Sequence, residues 1–426
     1  MTYKRLPGNP IHIIRRAGLL LIAVSLLLTG CASVNGADNN SYAGNKKSEN
    51  LDLYYKNGKI DWESMDSEAM SEARRREIEA NERLIEKYPS ITGTTADDPH
   101  APETLPDGDI PDDEYDNPSV EEISEPEENE IVISFIGDVM LAAENGYDGF
   151  WSFNLFAYET PPSYYFEKMQ DIFANDDLTV ANCENVFTDN ALAKQLKQGD
   201  VTYYYYSGTE NARIYAEGSI EVASLANNHS MDYGEAGLRD TVNALESVGV
   251  MAPKERETLE FGFDGFKIGM FFTSLYSNYY LGYILDWLNS TAEIYDYHIV
   301  YYHGGTERVY QPDEWRVRAS HSMIDAGADL VLGNHPHVLQ PMEVYNGKTI
   351  IHSLGNFLFG GSHTCENRTI VYQLTLTLSG DELIGTSGEI IPCYCYGELW
   401  QPCVIPEGEE RDRVLAFMNG EADSPL

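Results

Sequence analysis

Two histidines stand one residue apart in the stretch 327–357, GADLVLGNHPHVLQPMEVYNGKTIIHSLGNF. The apolar run Leu330-Val331-Leu332 before them reads as a buried strand of a parallel sheet, and Gly333-Asn334 reads as the turn that ends it. In an extended strand end, residues i and i+2 point the same way. Pro336 biases His335 away from helical backbone. His335 and His337 are therefore expected to project together from the lip of a sheet, where α/β folds keep their ligands. One loop histidine would be unremarkable on a surface; a pair at this spacing, with further candidates upstream, points to a metal.

Four more apolar runs end in residues that bind cations or move protons. The run 131–136 leads into Gly137-Asp138, and 178–181 leads into Asn182-Cys183-Glu184. Taken alone, Asp138 is also compatible with a turn and Glu184 with a helix cap or a loop ion pair. The run 221–226 leads into Asn227-Asn228-His229, then Met231-Asp232-Tyr233-Gly234 and a helical pattern. An Asn side-chain oxygen suits a hard cation. His229 cannot point the same way as Asn228 and is better placed as an acid or oxyanion partner. Asp232 can orient His229 by accepting a ring hydrogen bond. The run 298–302 leads into His303-Gly304-Gly305-Thr306-Glu307, whose paired glycines let the backbone approach whatever His303 binds. His298 opens that strand and reads as structural. His12, His100 and His321 have no comparable setting, and neither does His363, although its Gly-rich loop could close over a site.

Asp138, Glu184, Asn228, His303, His335 and His337 together offer nitrogen and oxygen donors with no thiolate, which suits Mn, Fe, Zn or Mg. Six donors exceed what one catalytic zinc takes. They suit two divalent ions about 3.5–4 Å apart with one carboxylate between them. Cys183 alternates to the other face and reads as core.

Elements that would position these residues alternate along the chain. Strands are expected at 131–136, 178–181, 221–225, 267–273, 298–302 and 329–332, and helices at 163–174, 235–248 and 313–326. In the second helix Leu238, Val242, Leu245 and Val248 fall at helical spacing. This is an α/β pattern. Two long strands, 369–378 and 382–395, read as an antiparallel hairpin about Ser379-Gly380-Asp381. The folded domain is expected over 131–407, long enough for a sizeable core, with 408–426 as a tail.

The N-terminus reads as a targeting segment. Lys4, Arg5, Arg15 and Arg16 precede the apolar stretch 17–28, too short for a comfortable span, which closes on Leu28-Thr29-Gly30-Cys31. An uncleaved anchor is the alternative, and either places the rest of the chain outside the cytoplasm. Residues 31–130 read as a tether: 33–57 flexible, 62–88 one solvent-exposed helix, and 97–130 carrying fifteen acids and no Lys or Arg. The whole chain has 28 basic and 69 acidic side chains, net −41, and loss of residues 1–30 takes it to −45. Such a balance excludes nucleic acid as a partner. Beyond Cys31 five cysteines remain, an odd number without finger spacing. The spacing allows one bridge among Cys393, Cys395 and Cys403 but does not require it.

With those residues in view, the chain resembles the CapA-type poly-γ-glutamate capsule-synthesis proteins of the calcineurin-like metallophosphoesterase superfamily. The segments that carry the likeness are FIGDVML (135–141), VANCENVFT (180–188), SLANNHSMDYGEAGL (224–238), HGGTERVYQP (303–312) and 327–357. The resemblance implies a four-layer α-β-β-α sandwich with metals at the strand ends. It implies Asp138 and His337 on one ion, Asn228, His303 and His335 on the second, Glu184 bridging, and His229 as general acid. The Leu-Thr-Gly-Cys31 run resembles a bacterial lipobox, which implies lipidation of Cys31. One departure stands out: the superfamily pattern Asp-X-His reads Asp138-Val139-Met140 here, and a thioether is a poor ligand for a hard cation.

Three classes of function follow. A lipid-anchored extracytoplasmic hydrolase would act on a phosphoester or an envelope-polymer amide. A non-catalytic envelope protein would use the metals to grip an anionic polymer such as poly-γ-glutamate, beside capsule ligase or export subunits. A solute-binding lipoprotein fits the anchor but not the histidines.

Overall fold

The computed structural model describes residues 12–17, 55–56, 59–60, 128–144, 152–190, 203–263, 265–361 and 366–426. In chain order the main strands are β1 (Glu128–Met140), β2 (Leu178–Cys183), β3 (Val222–Ser224), β4 (Glu257–Phe263), β5 (Phe266–Ser274), β6 (Tyr297–His303), β7 (Leu330–Asn334), β8 (Leu339–Tyr345), β9 (Lys348–Leu354), β10 (Asn356–Phe359), β11 (Arg368–Ser379), β12 (Glu382–Glu398) and β13 (Gln401–Val404). The longer helices are α1 (Gly234–Ser247), α2 (Asn278–Thr291), α3 (Glu314–Asp325) and α4 (Glu409–Met418).

The strands form two seven-stranded sheets. One runs β4-β5-β6-β7-β9-β8, with the segment His12–Ala17 outside β4; the other runs β13-β12-β11-β1-β2-β3, with β10 also paired to β1. Within the first sheet β5, β6, β7 and β9 are parallel. In the second β10, β1, β2 and β3 are parallel. Antiparallel strands flank both parallel centres: β4 and β8 in one, β11 in the other.

Side-chain alternation explains the layering. Ile131, Ile133 and Phe135 of β1 face Leu259, Ile299 and Tyr301 of the other sheet in one shared core. The opposite face of that other sheet, with Phe271, Val300 and Val331, packs on Leu281, Ile284, Leu285 and Leu288 of α2 and Met323 of α3. Ile136, Val139, Ala181 and Ala223 pack on Leu245 of α1 and on Phe166, Phe173 and Tyr215. The layers therefore run helix, sheet, sheet, helix, with strands buried on both faces as parallel sheets require.

Several elements differ from the sequence expectation. The helix expected at 163–174 is broken into 3-10 turns at Pro162–Tyr164 and Glu167–Met169 and one α-turn at Gln170–Phe173. Adjacent Tyr165 and Phe166 are both fully buried, one against Phe153 and the other against Phe357. A regular helix would turn neighbours about 100° apart, so packing overrides the local pattern. Residues 408–426 are not a loose tail: Val414, Phe417 and Met418 of α4 join the core between the sheets. Those burials stabilise by about 1.5–3 kcal/mol each. The hairpin forms as expected, with Gly380 at φ 65° in the turn.

Towards the N-terminus, His12–Ala17 pairs antiparallel with β4, and Tyr55–Lys56 pairs with Lys59–Ile60. Both ladders fall in segments read as leader and flexible tether. The expected helix at 62–88, Cys31, the tether stretch 97–127 and His363 lie outside the described residues. No helix among the described residues is long and apolar enough to cross a membrane.

Candidate metal centre

The parallel strands of both sheets end at one rim, and the candidate donors meet there. Asp138 reaches it through a break in the β1–β2 ladder between Phe135 and Asp138. Gly137 makes the break feasible, because a Cβ there would come within 1.9 Å of the Gly355 carbonyl oxygen. That carbonyl accepts the Asp138 N–H at 2.9 Å. Tyr301 spans the core and donates its hydroxyl to the Ile136 carbonyl at 2.8 Å. Asp138 is fully buried. Its Oδ1 accepts from Asn182 Nδ2 at 2.8 Å, and its Oδ2 accepts the His335 N–H at 3.2 Å and lies 3.3 Å from His337 Nδ1. Burial would raise its pKa, yet the hydrogen bond from His337 and the charges of His303 and His337 hold it below the ordinary carboxylate value.

Glu184 leaves the end of β2 with its N–H on the Val139 carbonyl at 2.9 Å. Its side chain is fully buried and neither carboxylate oxygen accepts a hydrogen bond. Oε1 faces His303 Nε2 at 3.4 Å and Oε2 faces His337 Nδ1 at 3.8 Å. An ionised carboxylate buried so costs several kcal/mol unless a cation offsets it.

His303 ends β6. Its Nε2 lies 2.7 Å from Asn228 Oδ1, 3.0 Å from His335 Nδ1 and 3.4 Å from Glu184 Oε1. Asn182 Nδ2 faces its Nδ1 at 3.1 Å, and Asn227 Nδ2 donates to Asn182 Oδ1 at 3.1 Å. A chain of amides thus holds both the imidazole and Asp138.

His335 and His337 converge, but not from an extended strand end. β7 runs on through Gly333 and Asn334, and the two histidines take φ 97° and 58°. A left-handed backbone at two non-glycine residues costs of order 1–3 kcal/mol each and marks a segment held by its surroundings. The rings end 5.8 Å apart. Burial, then the charges of His303 and His337, push His335 well below the ordinary imidazole pKa, leaving the neutral form that binds metals. Burial opposes charge on His337 too, but Glu184 and Asp138 raise it to about 10. Its Nδ1 also lies 2.9 Å from Asn356 Oδ1.

His229 stands beside this group, near enough to His335 for the two ring charges to oppose each other. Its Nδ1 is 2.9 Å from Asp232 Oδ2, which also accepts the Tyr205 N–H at 3.0 Å. Met140 is buried among Ala142, Tyr205, Phe359 and Cys395.

Two sets of donor atoms, each set within 4.8 Å of one another, share Glu184: Asp138–Glu184–His337 and Glu184–His303–His335. A third comprises Glu307, His335 and His337. All six residues singled out as donors therefore lie together. Glu307, Asn182, Asn227 and Asn356 were passed over. Their signal was present, since each lies within four residues of a strand-end donor or in the SLGNF run. His298, by contrast, caps the end of α2 with Nε2 3.1 Å from the Thr291 carbonyl, and His321 lies 2.6 Å from Glu343.

The family described as bacterial capsule synthesis protein PGA_cap matches residues 132–253 and 267–361. PGA biosynthesis protein CapA of Bacillus subtilis (strain 168) is 28% identical over 267 residues, 57% of this chain and 67% of that protein. Capsule biosynthesis protein CapA of Bacillus anthracis is 28% identical over 239 residues, 50% of this chain and 58% of that protein. A probable polyglutamine synthesis accessory protein of Mycobacterium tuberculosis is 26% identical over 193 residues, 37% and 51% respectively. The matches thus span about half to two thirds of these relatives' own lengths. Among solved structures, a novel phosphatase of Mycoplasma pneumoniae aligns over 62% of this chain and 94% of its own, at 13% identity and TM-score 0.37.

Proposed function

The chain belongs to the bacterial capsule synthesis protein family PGA_cap, and from that premise we propose that it is a lipid-anchored, extracytoplasmic accessory protein of poly-γ-glutamate-type capsule assembly, working through a two-metal centre of hydrolase type. The helix-sheet-sheet-helix layering supports the calcineurin-like arrangement that the resemblance implies. The leader and Cys31 support the anchor, and the printed roles of the relatives support the polymer.

The observation that carries the reading is Glu184: a buried carboxylate with both oxygens bare, common to two donor sets. The residues present fit a pair of divalent ions. Asp138, Glu184 and His337 would hold one; Glu184, His303, His335 and Asn228 would hold the other. Bound there, such ions polarise a phosphoryl or acyl oxygen and make water nucleophilic near neutral pH.

The chain's own side chains supply the rest. With Nδ1 engaged by Asp232, His229 keeps Nε2 as the atom that hands a proton to the departing group. Asp232, itself held by the Tyr205 amide, fixes the ring orientation. Asn182 and Asn227 keep Asp138 and His303 from turning away. The net charge of −41 opposes an anionic polymer, and cations at the rim reverse the sign where the polymer would sit.

A second reading, a non-catalytic metal-dependent polyanion binder, is favoured by Met140, whose thioether sits in an apolar cluster and leaves the first set with three donors. Metal analysis of the full chain with a chromogenic phosphodiester assay separates the two. Two ions per chain, with turnover falling about 10²–10⁴-fold in His229→Ala, supports the hydrolase. Bound ions without turnover transfers support to the binder, and no bound ion rejects both.

A further inference from the structure

We propose that Glu307 is a further metal ligand, closing the solvent side of the ion held by Asp138, Glu184 and His337. The inference rests on the two-metal reading above and adds a residue to it. The two donor sets are unequal: Asn228 lies 2.7 Å from His303 Nε2 and gives the second set a fourth donor, while the first has three. Met140, two residues from Asp138, is committed to an apolar cluster. Glu307 offers a carboxylate oxygen within 4.8 Å of donor atoms on both His335 and His337. Glu307 is itself exposed, whereas Asp138 and Glu184 are buried.

The loop that carries Glu307 is built to hold it there. Arg316, fully buried, donates to the Gly304 carbonyl at 2.5 Å and also to Gln340 Oε1. Gln340 in turn donates to the Val309 carbonyl at 2.7 Å. Gly305 has φ 125°, and a Cβ there would lie 1.5 Å from Arg316 Nη1. Thr306 donates to both oxygens of Asp313, at 3.1 and 3.0 Å. Arg308 N–H donates to the Pro336 carbonyl between the two histidines at 2.7 Å. Residue 307 is thus pinned on both sides, over the histidine turn. With a divalent ion bound beside it, its carboxylate completes the shell.

The test is calorimetric titration of Mn²⁺ into the full chain, with Mn²⁺ electron paramagnetic resonance. The proteins are wild type, Glu307→Gln and Glu314→Gln, the last removing an exposed acid nearby. The expected result is that Glu307→Gln weakens one of two ions by at least about tenfold, leaves the other, alters the spin-coupled signal and keeps the metal-free melting temperature. Wild-type affinities in Glu307→Gln, or losses equal to those of Glu314→Gln, would overturn the assignment while leaving the two-metal reading intact. No ion on the wild type would sink both.

Discussion

At the rim where the parallel strands begin, Asp177, Glu221, Asp296 and Asp329 each accept a backbone N–H from the neighbouring strand. The donors are Val132 at 2.8 Å, Thr179 at 2.8 Å, Lys267 at 2.7 Å and His298 at 2.8 Å. Each acid returns its own N–H to the carbonyl of that same residue. At the rim where the strands end, Glu184 accepts nothing. Similar acids thus do two jobs. Before a strand they lengthen the ladder by one side-chain rung; after it, two are drawn inward and one is left unsatisfied. The histidines of β6 repeat the contrast: His298 at the start rests on a helix-end carbonyl, and His303 at the end faces three donors.

The contrast breaks most visibly by exchanging the ends of β6. His303→Ala is expected to lower affinity for one divalent ion by about a hundredfold or more, since it removes a direct donor rather than an outer partner. His298→Ala should leave ion affinity unchanged and lower only the melting temperature. Calorimetric titration of both variants checks this, and equal ion affinities in the two would erase the distinction between rims.

Next in size is the ladder rung. Asp177→Ala removes a charge-assisted hydrogen bond and should cost about 1.5–3 kcal/mol in urea unfolding, with ion binding intact. A stability unchanged from wild type would mean the rung is ornamental.

A further effect is in pH. His337 is raised to about 10 in the metal-free protein from an ordinary value of 6.5. Its contribution to stability is then fully present below about pH 6.5 and lost as pH rises through about 10. Ion binding runs the other way, because the ring must shed its proton. Apparent affinity should climb by up to about tenfold per pH unit between about pH 7 and 9. Titrations at three pH values measure the slope, and a flat result would remove His337 from the donor set.

Much of the rim was legible because an apolar run followed by Asp, Glu, Asn or His reports a strand end without any knowledge of packing. Asp138, Glu184, Asn228 and His303 were found that way. The α2 stripe of Leu281, Ile284, Leu285 and Leu288 also falls at helical spacing, but no helix is expected there from the sequence, because the tyrosines around it blur the apolar period. The left-handed turn at His335 and His337 was not legible, because it depends on Asp138 accepting the His335 amide from a distant strand. Nor was the aim of Glu307, fixed by Arg316 and by the Pro336 carbonyl. The rung acids sit one place before their strands, a pattern visible only once it is known which strands lie side by side.

Counting divalent ions bound by the full wild-type chain and by Glu184→Gln, with the melting temperature of each before and after addition, tests the central claim most directly. The account predicts two ions per wild-type chain and a marked thermal gain on binding. It predicts that Glu184→Gln binds at least one ion far more weakly and shows a smaller thermal gain when ions are added. Two ions held with equal affinity by both proteins, or none held by wild type, would contradict it.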